Sequence, residues 1–137
     1  AVRRVVAVVA REIGQYAEGQ RIVAFLVLGH AQDKDKKVPE YLTVLSENKD
    51  GLPYDYTQVR VFTWSTRKHR YETAFREHHL AGILPVTLGR ENDTTTFTLQ
   101  LKDEDTGSVQ PRKYTFNSPM VHRVYGPGEE PKTKRKR

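Results

Sequence analysis

Cysteine is absent from this chain, and only one tryptophan and one methionine occur among its 137 residues. Without cysteine there is no disulfide, no thiolate nucleophile and no thiolate metal site, and the absence fits a reducing as well as an oxidising compartment. Long apolar runs are also missing, because the longest, at residues 22–28, has the length of a strand. A membrane-spanning helix needs roughly 20 apolar residues, so we expect no transmembrane segment.

Catalytic and metal-binding motifs are absent as well. Ser65 and Ser118 lack the context of a nucleophile elbow, and the carboxylates at residues 103–105 lie in a turn sequence, where acidic side chains cap backbone groups. His78 and His79 are adjacent, so in a strand they would point to opposite faces, and neither has a partner at the spacing of a local chelate. A solvated pair in a loop is the better interpretation. The sequence therefore predicts no enzyme, no metal site and no cofactor.

Positive charge is concentrated at the C-terminus. Residues 129–137 carry a net charge of +3 out of the formal +6, which leaves +3 for residues 1–128. We expect this segment to be a disordered basic tail that attracts any polyanion in a salt-dependent way, or that serves only solubility. Its cations are Lys132, Lys134, Arg135, Lys136 and Arg137.

Short runs of β-branched and aromatic residues make up most of what is present. Residues 59–75, VRVFTWSTRKHRYETAF, predict a hairpin that turns at residues 66–69. Residues 21–30 are apolar on both faces, which is typical of a central strand, and residues 31–37 have the composition of a polar loop. Pro85 indicates an edge strand or a bulge at residues 83–88, and we expect an edge strand.

The spacing of these runs predicts an all-β fold. We expect about seven to nine antiparallel strands in a small sandwich or partly open barrel, with one short helix near residues 10–18. Trp64 should be at least half buried. The other residues that we expect in the core are Ile22, Ala24, Leu26, Val44, Val61, Thr63, Tyr71, Phe75, Val86, Phe97, Leu99, Leu101, Tyr114, Phe116 and Val121.

The turn of the predicted hairpin is the candidate binding site. Cations beside aromatic rings can hold a polyanion or a sugar by charge and stacking. The competing interpretation is a polar hairpin tip above two core aromatics, because alternation need not place the rings beside the cations. The residues concerned are Trp64, Arg67, Lys68, His69, Arg70 and Tyr71.

Three longer strings carry a family resemblance: QYAEGQRIVAFLVLG at 15–29, KKVPEYLTVLSENKDGLPYDYTQVRVFTWSTRKHRYETAF at 36–75 and KYTFNSPMVHRV at 113–124. They resemble the C-terminal region of uncharacterised bacterial exported proteins, in which Src-homology-3-like (bacterial SH3) domains precede a β-rich domain. The resemblance implies that residues 1–14 are the last strand and exit of such a module, that residues 15–128 form one β-rich domain, and that the chain is a piece of a longer protein.

The same resemblance implies a location in the periplasm or cell envelope. It favours a non-catalytic binding or scaffold module whose partner is a cell-wall or other envelope polymer. The alternative is a protein that binds nucleic acid or another polyanion through the basic hairpin and the tail.

Overall fold

The computed structural model describes residues 19–47 and 50–126 of the chain. They form eight strands in two four-stranded antiparallel sheets, without a helix in these ranges, so the all-β class and the number of strands are confirmed. The predicted helix near residues 10–18, the strand proposed for residues 1–14 and the tail lie outside the described residues. The first sheet contains β1 (Arg21–Asp33), β2 (Lys36–Ser46), β3 (Gln58–Ser65) and β4 (Arg70–Glu77); the second contains β5 (Gly82–Glu91), β6 (Thr94–Lys102), β7 (Val109–Asn117) and β8 (Met120–Val124).

Each sheet follows the chain as a simple meander, in the orders β1-β2-β3-β4 and β5-β6-β7-β8. The predicted hairpin of residues 59–75 is confirmed, since β3 and β4 pair from Val59 opposite Glu77 to Ser65 opposite Arg70. Pro85 lies in β5, which is an edge strand as predicted. The two sheets do not close into a barrel.

A core shared by both sheets makes the fold a sandwich. Phe97 and Tyr114 of the second sheet stack with their ring centroids 5.0 Å apart. The ring centroid of Phe75, in the first sheet, lies 5.3 Å from that of Tyr114. Burying each such side chain contributes about 1.5–3 kcal/mol. The buried members of the core are Leu28, Leu42, Val44, Tyr56, Val59, Val61, Leu80, Val86, Phe97, Leu99, Tyr114 and Phe116.

A second apolar cluster occupies the opposite face of the first sheet. Tyr41, Phe62 and Tyr71 are its buried members, and Phe25 and Trp64 pack against them. Tyr71 is buried, as predicted, but in this cluster and not between the sheets. A β-bulge places it there: Val61 pairs with Phe75 but Phe62 pairs with Thr73, so one extra residue in β4 reverses the alternation. Ile22, also expected in the core, is partly buried against the same cluster.

The same cluster explains why the prediction for β1 was wrong. β1 was predicted to be central because it is apolar on both faces, yet it is an edge strand. Its apolar faces arise because Leu26 and Leu28 join the main core while Phe25 packs edge-on against Tyr41, with ring centroids 6.0 Å apart. Apolar residues on both faces of a strand therefore show that both faces of its sheet are covered, whatever the position of the strand.

The predicted loop at residues 31–37 is much shorter in the structure. β1 runs on to Asp33 and β2 starts at Lys36, so only Lys34 and Asp35 form the turn. Lys34 takes a positive φ of 59°, as a two-residue hairpin turn requires. The β1–β2 hairpin consequently extends beyond β3, whose pairing with β2 reaches only from Gln58 to Phe62.

The passage from the first sheet to the second is closely packed. Tyr56 is fully buried and exchanges backbone hydrogen bonds with Gly82, at 3.3 Å and 2.9 Å. A Cβ added to Gly82 would lie 2.0–2.4 Å from three atoms of the Tyr56 ring. Glycine is therefore needed here for close approach rather than for an unusual φ. In the described ranges no helix is long and apolar enough to cross a membrane.

Candidate functional site

Two hairpin tips of the first sheet are joined by a single carboxylate. Asp33, at the end of β1, accepts a hydrogen bond from the Trp64 indole Nε1–H at 2.8 Å, and its Oδ2 lies 2.9 Å from Nδ1 of His69. These two residues belong to the β3–β4 hairpin, more than 30 positions further along the chain. The hydrogen bond from Trp64 and the contact with His69 lower the pKa of Asp33 below its usual value of 3.8. The ionised carboxylate thus holds the two tips together.

A second carboxylate stabilises the same end of the first sheet. Glu40 is 1% exposed, and its Oε2 accepts the backbone N–H of Trp64 at 2.9 Å and the hydroxyl of Ser118 at 3.1 Å. The pairing of β2 with β3 stops at Tyr41 opposite Phe62, so this side chain takes the N–H that the sheet ladder leaves unpaired. Ser118 lies in the β7–β8 turn, so Glu40 also connects the two sheets.

The two aromatic residues of the predicted site are packed against neighbouring residues. Tyr71 is 7% exposed, and its hydroxyl donates to the carbonyl of Pro39 at 2.8 Å. Trp64 is at least half buried, as predicted, and stands edge-on to Tyr71 with ring centroids 5.0 Å apart. The structure thus places Trp64, His69 and Tyr71 as supports of the hairpin tip, and a role for their rings in stacking on a ligand stays a prediction.

The cations of the predicted site point to solvent. Arg67, Lys68 and Arg70 are exposed, and Glu72 lies 3.4 Å from Lys68 Nζ and 3.8 Å from Arg70 Nε. Ion pairs this exposed contribute little, typically below about 1 kcal/mol. Arg67 makes no ion pair within the described ranges. The cations therefore keep most of their capacity to meet an external anion.

The structure adds three further cations that sequence reasoning missed. The tip of the β1–β2 hairpin carries exposed lysines in the turn and at the start of β2, and the contacts of Asp33 hold this tip against the β3–β4 hairpin. We name the six cations together the tip surface: Lys34, Lys36, Lys37, Arg67, Lys68 and Arg70. Against the carboxylates of Asp33, Asp35 and Glu72 they leave a net charge of +3. The signal in the sequence was the DKDKK string, which was interpreted only as a loop.

The other residues considered for chemistry cap backbone groups or lie in a loop. The Oγ of Ser65 accepts the backbone N–H of Lys68 at 3.0 Å, and Asp103 Oδ1 accepts two backbone N–H groups at 2.8 Å and 3.1 Å, so the capping role expected in this turn is confirmed for Asp103. His78 and His79 follow the end of β4 as an exposed loop pair, as expected, and their ring centroids are 4.4 Å apart.

The histidine pair lies beside a cleft at the far end of the first sheet, which we name the polar cleft. Residues 19–47 and 50–126 contain no group of three or more histidine, cysteine, aspartate or glutamate side chains arranged to hold a metal ion. The tail cations at residues 132–137 lie outside the described residues. Comparison of the chain with protein-family models, curated proteins and solved structures found no match.

Proposed function

We propose that this chain is a non-catalytic binding module that holds an anionic polymer of the bacterial cell envelope on the tip surface. The observation that supports this most directly is the contact of Asp33 with Trp64 and His69, because it brings cations from two separate stretches of sequence to one place. The sequence resemblance to exported envelope proteins gives the proposed cellular setting.

The support beneath the cations favours binding of a polymer over loose counter-ion attraction. Asp33 and Glu40 each accept two hydrogen bonds at this end, and the Tyr71 hydroxyl fastens β4 to Pro39. Because the tips are held in place before a ligand arrives, less conformational entropy is lost on binding. A repeating phosphodiester chain can then meet several cations at once, which a small anion cannot do.

The test uses the chain without residues 129–137, so that the tail cannot contribute. Fluorescence anisotropy with labelled poly(glycerol phosphate) should show binding that weakens steeply with salt, with a log–log slope of about −4 if all six cations reach phosphates at about −0.7 each. Replacing Arg67, Lys68 and Arg70 by serine should weaken binding at least tenfold and reduce the slope to about −2.

A matched variant controls for total charge. Arg21, Arg76 and Lys102 lie away from the tips, and replacing them by serine changes the net charge by the same amount. If both triple variants lose affinity equally, the tip surface is not a site and the proposal fails. If binding requires the tail, as the charge distribution in the sequence suggests, the tail-less chain will not bind at about 150 mM salt, where exposed charges are screened beyond about 8 Å.

Single-stranded DNA of equal charge is the second arm of the same titration. A nucleic-acid binder would hold DNA at least tenfold more tightly than the polyol polymer, because base stacking adds to phosphate contacts. That outcome would replace the envelope polymer by the alternative of nucleic-acid binding.

A further inference from the structure

The polar cleft lies at the opposite end of the first sheet from the tip surface. It has a volume of about 310 Å³, which is at the lower limit for sites that bind small ligands. Gln20 lines it just before β1, Thr57 just before β3, Leu80 in the connection to the second sheet and Glu104 in the β6–β7 turn. Because these segments are far apart in sequence, the cleft is a product of the fold.

Two oxygens of the cleft residues lack hydrogen-bond partners. Thr57 is 7% exposed, and neither its Oγ1 nor the Oε1 of Gln20 has a partner, although both atoms are shielded from solvent. Most buried polar groups in folded proteins are paired, and leaving one unpaired is costly. Both oxygens belong to residues that line one cleft, so a ligand there with hydrogen-bond donors can reach them after the small side-chain adjustment that often accompanies binding.

The charge around the cleft favours a cationic donor. Its titratable side chains other than tyrosine are Glu47, Glu104, His78 and His79, and no lysine or arginine of the described ranges lines it. Glu104 is exposed and has no ion pair or hydrogen bond among those residues. Leu80 and the ring of Tyr54 provide apolar wall beside these acceptors. An ammonium group on an aliphatic stem meets each of these conditions, since it offers three donors, a positive charge and a methylene chain.

We propose that the polar cleft binds the primary ammonium group of an aliphatic amine, supplied by a free diamine or by a lysine side chain. Binding of cadaverine, followed by the chemical shifts of backbone amides at residues 54–58 and 78–80, should give a Kd on the order of 1 mM, as is usual for a ligand of so few atoms. 1,5-Pentanediol has the same length without the charge and should bind at least tenfold more weakly. Equal binding of the diol, or shifts elsewhere in the chain, would overturn the proposal.

Nα-acetyl-lysine methylamide distinguishes the two sources. Tighter binding of this compound than of cadaverine assigns the cleft to lysine side chains of a partner protein. Tighter binding of cadaverine assigns it to free diamines. If neither compound binds more tightly than the diol, the cleft has no preference for amines and the proposal is wrong.

Two variants separate ligand binding from folding. Thr57→Val removes the unpartnered hydroxyl with little change of shape, so affinity for cadaverine should fall at least fivefold while the Tm stays the same or rises. Glu104→Gln should weaken binding about threefold, whereas Asp105→Asn in the same turn should not, because Asp105 does not line the cleft. Unchanged affinity in Thr57→Val would contradict the proposal, and polymer binding at the tip surface should be unaffected by either substitution.

Discussion

At the tip end of the first sheet, the carboxylates of Asp33 and Glu40 each accept two hydrogen bonds; at the cleft end, the side-chain oxygens of Gln20 and Thr57 have no partner. The seven residue steps of β3 separate these ends by about 23 Å. The tip end has its buried polar atoms satisfied and its charges outside, so it can present cations without changing shape. At the cleft end two buried acceptors lack a partner, and the proposed amine site rests on this difference between the two ends.

The difference follows from how each end is built. Hairpin turns close the tip end, and their neighbouring strands supply side chains that satisfy one another. The cleft end is formed by connections between strands, and the chain crosses there from the first sheet to the second through residues 78–81. The segment that ends at Tyr56 joins this crossing through its backbone hydrogen bonds with Gly82. We therefore expect substitutions at the two ends to separate into effects on folding, on polymer binding and on amine binding.

The substitution Gly82→Ala, at the cleft end, should have the largest effect on stability. The new Cβ would overlap the fully buried Tyr56 ring, so we expect the free energy of unfolding to fall by about 3 kcal/mol or more, at the upper end for overpacked sites. Urea denaturation measures it. Gly29→Ala is the matched control, because its Cβ would have only Phe116 Cε2 within contact distance, at 3.9 Å. Similar losses in the two variants would show that loss of strand glycine, and not the clash, is responsible.

Trp64→Ala should give the next largest effect, at the tip end. Because the ring is only partly buried, we expect a loss of about 2–3 kcal/mol, slightly below the range for a fully buried tryptophan. Trp64→Phe keeps a ring against Tyr71 but removes the hydrogen bond to the Asp33 carboxylate, so its loss of stability should be smaller than that of Trp64→Ala. Met120→Ala, at a residue 53% exposed, should change stability by less than about 0.5 kcal/mol.

A measurement of polymer binding tests whether Trp64 positions the two hairpin tips. If the indole N–H positions the tips, Trp64→Phe should weaken binding of the envelope-type polymer even under conditions where the variant is fully folded. Amine binding at the polar cleft should not change. A variant that binds the polymer normally would show that the cations act without the contact to Asp33.

The sequence predicted the hairpin of β3 and β4 and the partial burial of Trp64 because these depend on alternation and on turn composition. It could not predict the contact of Asp33 with Trp64, since alternation reports which face a residue occupies and not which distant tip it meets. The burial of Tyr71 was predicted, but not the face on which it lies, because the residue inserted opposite Val61 and Phe62 reverses the faces that follow it. The sequence could not predict the polar cleft either, because Gln20, Thr57 and Glu104 share no local pattern and come together only through the fold.

The smallest expected effect is the pH dependence contributed by Asp33. Its pKa is lowered in the folded state, chiefly by the hydrogen bond from Trp64 and then by His69, so its ionised form is the one that folding favours. Stability from this group is therefore fully present above its ordinary pKa of 3.8 and is lost as the pH falls through the lower folded value. The Tm difference between the parent chain and Asp33→Asn should be constant above about pH 5 and should narrow below about pH 4.

Asp35→Asn, at the same turn, should show no such narrowing, since no hydrogen bond or ion pair fixes Asp35 within the described ranges. A difference between parent and Asp33→Asn that stays constant to about pH 3 would show that the ionised form of Asp33 does not hold the two tips together.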